Sequence, residues 1–356
     1  MGFATKKPPV PPPPSNFTFL LHAADSGSAE GVLLEVPASQ ETFDDQGLSY
    51  IYKSAMLPDG RVVFPCYDGD GPVVVKCYEA GSLTIESWST SIAGSAYGYY
   101  SDITILNNGN IVVAFPDYDT ELMSFAILDS DGGIVQGFTN GQGTSDTMDY
   151  DYEAWVIPLE DGGFCLAWRD GWYYLALWNA NGTIRQARTV TENADEPSGP
   201  GQMPFGDGTD YGSGMIGQWD GANDYSFWYN QNDLTEEWSN QDLGYGGYII
   251  HTAVLPSWTD KLLIIAEWNG TIRGNIMQND LDTLLIDAKV MLSSGYTLNS
   301  VLALPDDTFL VQAISGADYG LNYWIFDENL DLVSGPTAAF TGITSDNLEF
   351  VKGSAV

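Results

Sequence analysis

The stretch Tyr52-Lys53-Ser54-Ala55-Met56-Leu57-Pro58-Asp59-Gly60 decides how this chain folds, because it returns along the sequence. Its counterparts are Ser101-Asp102-Ile103-Thr104-Ile105-Leu106-Asn107-Asn108-Gly109, Tyr152-Glu153-Ala154-Trp155-Val156-Ile157-Pro158-Leu159-Glu160-Asp161-Gly162, Thr252-Ala253-Val254-Leu255-Pro256 and Ser300-Val301-Leu302-Ala303-Leu304-Pro305-Asp306-Asp307. The anchoring leucines are therefore Leu57, Leu106, Leu159, Leu255 and Leu304. The one double-length gap, over residues 200–245, holds a degenerate copy. Self-similarity with a period of about 50 residues is the mark of a repeat architecture.

Each unit reads as four short strands. A first apolar strand runs into the Asp-Gly turn, and a second apolar strand follows. A polar loop and two further strands around another tight turn complete the unit. In one copy the later pieces are Arg61-Val62-Val63-Phe64, the loop Asp68-Gly69-Asp70-Gly71, Val73-Val74-Val75-Lys76-Cys77-Tyr78 and Leu83-Thr84-Ile85-Glu86-Ser87-Trp88. Helical periodicity is nearly absent, so the expected class is all-β.

A four-stranded meander copied at this spacing resembles the blade of a β-propeller, whose radially stacked sheets bury both faces and leave short edges. The repeated Leu-Pro-Asp-Gly turn, followed by a strand containing Asp or Trp, is similar to propeller modules of phage tail and virion appendages and of bacterial surface proteins. The resemblance covers the chain from about residue 16 onward, as one domain. Two apolar strands at residues 17–22 and 32–36 precede the first full unit. One spare strand at 347–352 follows the last. Joining them predicts a ring closed by a composite terminal blade. The expectation is a seven-bladed β-propeller with blades at roughly 16–45 plus 345–356, 46–95, 96–145, 146–195, 196–245, 246–294 and 295–344. Six blades with loose flanking strands is the alternative.

The first 15 residues differ in kind. Pro8, Pro9, Pro11, Pro12, Pro13 and Pro14 withhold backbone donors and favour an extended polyproline arm, suited to lying on a neighbour. The opening residues contain no apolar stretch of signal-peptide type, which disfavours general secretion as an expectation.

Across its 356 residues the chain carries 12 Lys+Arg against 48 Asp+Glu, a formal charge of −36, yet 44% of it is hydrophobic and 13% aromatic. So apolar a chain folds despite its charge. Its field repels phosphate backbones and anionic lipid surfaces, so neither nucleic acid nor membrane is an expected partner. Cys66, Cys77 and Cys165 lie in apolar strands and read as reduced thiols. Two histidines, His22 and His251, are too few for a multi-histidine metal centre, and their places in an N-terminal strand and an apolar strand read as core or surface positions in place of a catalytic triad.

In a propeller, the loops between second and third strands share a face with the connections leading into each blade. The loops hold Asp70, Tyr118, Asp119, Asp170, Trp172, Trp268 and Tyr319. The connections hold Tyr99, Tyr100, Tyr150, Tyr152, Tyr248 and Tyr296. Rings that offer stacking area, set beside hydrogen-bonding carboxylates, suit a sugar or a protein partner. The competing reading is structural: aromatics cap the wedges between blades, and aspartates bond their own turns. Oxygen donors in Asp68-Gly69-Asp70, Asp117-Tyr118-Asp119 and Asp129-Ser130-Asp131-Gly132 raise calcium as the one conceivable ion, but none completes a loop with a distal bidentate Glu. No cofactor is expected.

The expected function is a non-enzymatic structural or binding module of a virion, a phage tail or capsid appendage. Its arm would meet other virion proteins, and its face a host-surface glycan or receptor. A secreted bacterial lectin or adhesin, extracellular in place of virion-bound, is the first alternative. A glycoside-active propeller enzyme is the second.

Overall fold

The repeated leucine is the pivot of each repeat, and the computed structural model shows how. The amide of Leu57 donates to the Arg61 carbonyl at 2.8 Å, and its carbonyl accepts from Gly60 at 2.9 Å. The same pair of bonds closes the turn at Leu106, Leu159 and Leu304. Each turn needs one left-handed residue. It is supplied by Gly60, Gly109 and Gly162, with φ between 82° and 88°, and by Asp307 at 60°. The aspartate or asparagine before it accepts from the backbone two residues on, as Asp59 does from Arg61 and Asn108 from Asn110. The leucine side chains point inward, and all five are at most 3% exposed.

The structure describes residues 17–25, 28–36, 39–45, 54–66, 72–80, 85–92, 101–117, 122–140, 154–159, 161–170, 172–190, 215–219, 224–229, 236–238, 249–255, 257–258, 261–268, 271–278, 284–304, 306–315, 321–338 and 349–350. These form β-strands and turns. Strands β1 (Phe17–Asp25), β2 (Ser28–Val36) and β3 (Ser39–Asp45) come first. Blade 1 is β4 (Ala55–Met56), β5 (Val62–Cys66), β6 (Val74–Tyr78) and β7 (Glu86–Ser91). Blade 2 is β8 (Asp102–Ile105), β9 (Ile111–Asp117), β10 (Leu122–Leu128) and β11 (Ile134–Asn140). Blade 3 is β12 (Ala154–Pro158), β13 (Phe164–Asp170), β14 (Trp172–Trp178) and β15 (Ile184–Val190). Then come β16 (Met215–Trp219), β17 (Asp224–Tyr229) and β18 (Glu236–Trp238). Blade 4 is β19 (Ile249–Ala253), β20 (Lys261–Trp268), β21 (Thr271–Gln278) and β22 (Leu284–Leu292). Blade 5 is β23 (Tyr296–Ala303), β24 (Phe309–Ser315), β25 (Leu321–Phe326) and β26 (Leu332–Ala338), and β27 (Glu349–Phe350) is last.

Each blade is an antiparallel sheet of four strands in chain order. The fold is an all-β propeller, as the repeat implies, but its blade count corrects the expectation. Among the described residues there are five blades of four consecutive strands, not seven and not six. The degenerate unit supplies three strands, β16-β17-β18, the last of three residues. The terminal strands share a sheet of order β27-β1-β2-β3, in which two residues of β27 pair with Ala23 and Ala24. Neither is a four-stranded meander, so repeat spacing overcounted the blades. Of the expected ring closure the described residues show that two-residue pairing alone, and the Pro-rich arm, residues 1–15, lies outside them.

Apolar side chains from facing sheets fill the wedges between blades. Leu57, Val63, Val75 and Cys77 of blade 1 meet Ile103, Val113, Phe115 and Ala126 of blade 2. The other face of blade 2, with Val112, Phe125 and Ile127, meets Phe164, Leu166, Trp168 and Trp178 of blade 3. There Phe125 stands edge-on to Trp178 at 4.6 Å and to Phe164 at 5.2 Å. Leu263, Ile265 and Ile276 of blade 4 face Val301, Phe309, Val311 and Trp324 of blade 5. Successive residues of one strand thus enter different wedges, as strand alternation requires.

Turns also lock blades together. Between third and fourth strands a second turn repeats around Asp129, Asn179 and Asp327, with Gly132, Gly182 and Leu330 left-handed. Gly132 abuts the preceding blade, where Trp88 Nε1 donates to Ser130 O at 3.1 Å and Thr90 Oγ1 to Gly132 O at 2.7 Å. Between blades 4 and 5, Lys289 Nζ donates to Asn329 O and Asp331 Oδ1.

Candidate functional site

Antiparallel order puts the ends of second strands, the starts of third strands and the starts of first strands at one end of the blades. The Leu-anchored turns lie at the other. Four of the expected face residues fall on described strands at that end. Asp170 closes β13 and Trp172 opens β14, and the two are register partners. Trp268 closes β20 opposite Thr271. Tyr296 opens β23 opposite Ser315. Of these four, Tyr296 has a described side chain. It is half-buried and stands edge-on to Trp324 at 4.9 Å, packed on the core between blades 4 and 5. Its ring has a structural task. Tyr99, Tyr100, Tyr118, Tyr150, Tyr152, Tyr248, Tyr319, Asp70 and Asp119 lie outside the described residues, as do Pro8, Pro9, Pro11, Pro12, Pro13 and Pro14.

Two carboxylates at this end do a job the repeat does not announce. Asp102 Oδ2 accepts the Val156 amide of the next blade at 2.8 Å, while its Oδ1 accepts the amide of Ile103. Glu267 Oε2 accepts the Leu298 amide, again of the next blade, at 2.7 Å. Each charge satisfies a first-strand donor that has no partner on that side of its own sheet. Asp117, at the end of β9, is a further carboxylate here and is 2% exposed. These residues carry no motif, because their partners lie 54 and 31 positions away.

At the opposite end the acids are occupied by their turns. Asp129 Oδ1 accepts the amides of Asp131 and Gly133 at 2.9 and 2.7 Å, and Asp327 Oδ1 those of Asn329 and Asp331. An oxygen so engaged is a poor calcium donor. Among the described residues no three His, Cys, Asp or Glu side chains gather to hold a metal ion. Arg185 pairs with Asp161 at 2.5 Å. Burial disfavours the Asp161 charge, but the bonds from Arg185 and the Gly163 amide, with the guanidinium charge, outweigh it and lower its pKa. Burial drives the Cys77 and Cys165 thiols up to about 12, so both are neutral and poor nucleophiles at ordinary pH. His22 and His251 lie within β1 and β19.

No protein-family model matches the chain, and no curated protein matches it. Solved structures do. A putative 6-phosphogluconolactonase from Bacteroides uniformis aligns at 12% identity and a TM-score of 0.60, covering 96% of this chain and 100% of that one. The periplasmic gluconolactonase PpgL of Pseudomonas aeruginosa aligns at 13% identity and a TM-score of 0.58, covering 96% and 99%. The Dos1 propeller aligns at 12% identity and 0.55, covering 84% and 73%. Likeness this distant in sequence is likeness of fold, and what it establishes for this chain is the β-propeller.

Proposed function

We propose that this chain is a non-enzymatic structural or binding module of a virion, a phage tail or capsid appendage. In this reading it contacts a host-surface glycan or another virion protein through the Tyr-, Trp- and Asp-bearing end of its blades. The observation that carries it is that Asp170, Trp172, Trp268 and Tyr296 stand at the same end of blades 3, 4 and 5. Stacking area beside hydrogen-bond acceptors is the chemistry of sugar and protein recognition. Neutral thiols and turn-bound carboxylates favour binding over covalent catalysis. The Pro-rich arm is the tether to the assembly, and the protein is a component of the particle.

A glycoside-active or other hydrolytic propeller is the rival reading, since gluconolactonases share the fold. Mass spectrometry of purified particles tests the leading one. The protein is expected to co-purify with intact particles, and deletion of residues 1–14 to release it without unfolding the propeller. Recovery of the protein free in the supernatant, with the arm dispensable, overturns the reading. Release of reducing sugar by the purified protein, lost on replacing one loop aspartate, establishes the rival.

A further inference from the structure

Among the described residues, every left-handed residue that is not glycine stands on the seam between blades 4 and 5. They are Ala288, Asp307 and Leu330, with φ of 47°, 60° and 60°. The repeat supplies the comparison. Asp307 takes the place of Gly109 and Gly162 in the turn after the first strand, and Leu330 that of Gly132 and Gly182 in the turn after the third. A bulky side chain in this region is an outlier, and the left-handed backbone weighs against it by about 5- to 30-fold. Blade 5 gives up glycine at both turns, and the reason lies in blade 4.

All three positions serve contacts across the seam. Asp307 Oδ1 accepts the Ser257 amide of blade 4 at 2.8 Å. Leu330 is 1% exposed and stands over Gly274 of β21, where an added methyl would come 2.7 Å from Leu330 Cδ1. Glycine inside a strand marks such a close approach. Ala288 lies at a register shift of β22, its amide held by Asn275 Oδ1 at 2.6 Å. The next residue, Lys289, donates to Asn329 O and Asp331 Oδ1 in the Leu330 turn at 2.7 and 2.6 Å.

Burying a leucine side chain is worth about 10- to 150-fold, so contact with blade 4 outweighs the strain at Leu330. Without that contact the strain stands alone and disfavours the turn. Gly132 and Gly182 carry no such penalty, so their turns close with or without a neighbour. One continuous core extends this dependence along the seam. It runs from Leu255, Trp258 and Leu330 at the turn end, through Leu263 and Phe309, to Leu298 at the other end. There the Glu267 carboxylate of blade 4 accepts the Leu298 amide, and Tyr296 packs on the same core.

We propose that the seam between blades 4 and 5 is a strained latch that opens as one unit, from the Asp307 and Leu330 turns to the end of the blades that bears Tyr296 and Trp268. The seam between blades 2 and 3, whose turns use Gly162 and Gly182, opens in parts. The latch does not depend on what that end of the blades binds. Residue-resolved hydrogen exchange of the full-length protein, in urea below its unfolding transition, tests it. The amides of Asp327 and Leu330, bonded within their turn, and those of Ser257 and Leu298, bonded across the seam, should share one opening with one urea dependence. In blade 3 the turn amides of Asn179 and Gly182 should outlast the seam amide of Val156. Leu330→Gly should uncouple the latch: its turn stays closed, as in blade 3, while Ser257 and Leu298 exchange about tenfold faster or more, the loss of one buried leucine. Turn amides that open separately from Ser257 and Leu298 in the unsubstituted protein overturn the proposal, a result that needs no variant to fold. So does a common opening that also takes in Val156 and Asn179, since the whole propeller then opens at once. A Leu330→Gly protein in which turn and seam still open together overturns it as well.

Discussion

Replacing Gly132 by Ala separates the contact between blades from the local cost of the turn that makes it. Gly132, Gly109 and Gly162 all lie in left-handed turns, with φ of 81°, 82° and 88°. A methyl added at Gly109 or Gly162 meets nothing within 4 Å. At Gly132 it arrives 2.6 and 2.7 Å from ring carbons of Trp88 and 2.9 Å from Thr90 Oγ1, all on the preceding blade. The left-handed backbone costs an L-residue about 1–2 kcal/mol, and a less flexible unfolded chain returns about 0.4–1 kcal/mol of that. Gly109→Ala and Gly162→Ala are therefore expected to destabilise by about 1 kcal/mol each. Gly132→Ala adds overpacking against an indole held by its bond to Ser130, about 1–3 kcal/mol more. Urea unfolding measures the difference as a shift in midpoint at constant slope. Trp88→Ala in the same chain should recover most of the excess. Equal losses at Gly132 and Gly109 would refute the blade contact.

Asp102→Ala leaves the amide of Val156, a buried residue, without its acceptor and should cost about 1–3 kcal/mol, whereas Asp102→Asn keeps an acceptor and should cost less. Amide exchange at Val156, faster in the alanine variant alone, is the check. Leu57→Ala, at a fully buried anchor, should cost about 2–5 kcal/mol, and an exposed-site control such as Val333→Ala should cost far less in the same urea series. Cys77 and Cys165 titrate near 12 when folded and at ordinary thiol values when unfolded, so folding favours the protonated form. Their contribution is fully present below the unfolded pKa and falls away as pH climbs from about 9 toward 12. A double Cys→Ala variant should flatten the alkaline limb of the stability profile; an unchanged limb would place the sensitivity elsewhere.

Much of this fold was legible because its signals are local. Leu57, the Asp59-Gly60 turn and the strands on either side lie within a dozen residues of one another, and a left-handed position favours Gly, Asn or Asp. Meander pairing within a blade follows from the same short connections. Of the expected face residues, Asp170, Trp172, Trp268 and Tyr296 fall on described strands, and antiparallel order within the blades puts those four at one end. The role of Tyr296 was not legible, because its contact with Trp324 depends on how two strands of one blade meet the core beside the next. Nor were Asp102 and Glu267, whose partners belong to other blades.

Strand, turn and repeat can be read from residues near in the chain, since backbone hydrogen bonding and side-chain alternation set them over a few positions. The number of blades cannot. A seventh or sixth copy counted by spacing becomes a blade when four strands pair and their side chains fill a wedge against two neighbours. The volumes of residues far apart in the chain, such as Phe125 against Trp178, settle that balance. The three-stranded β16-β18 sheet and the two-residue pairing of β27 are where that balance departs from the period of the repeat.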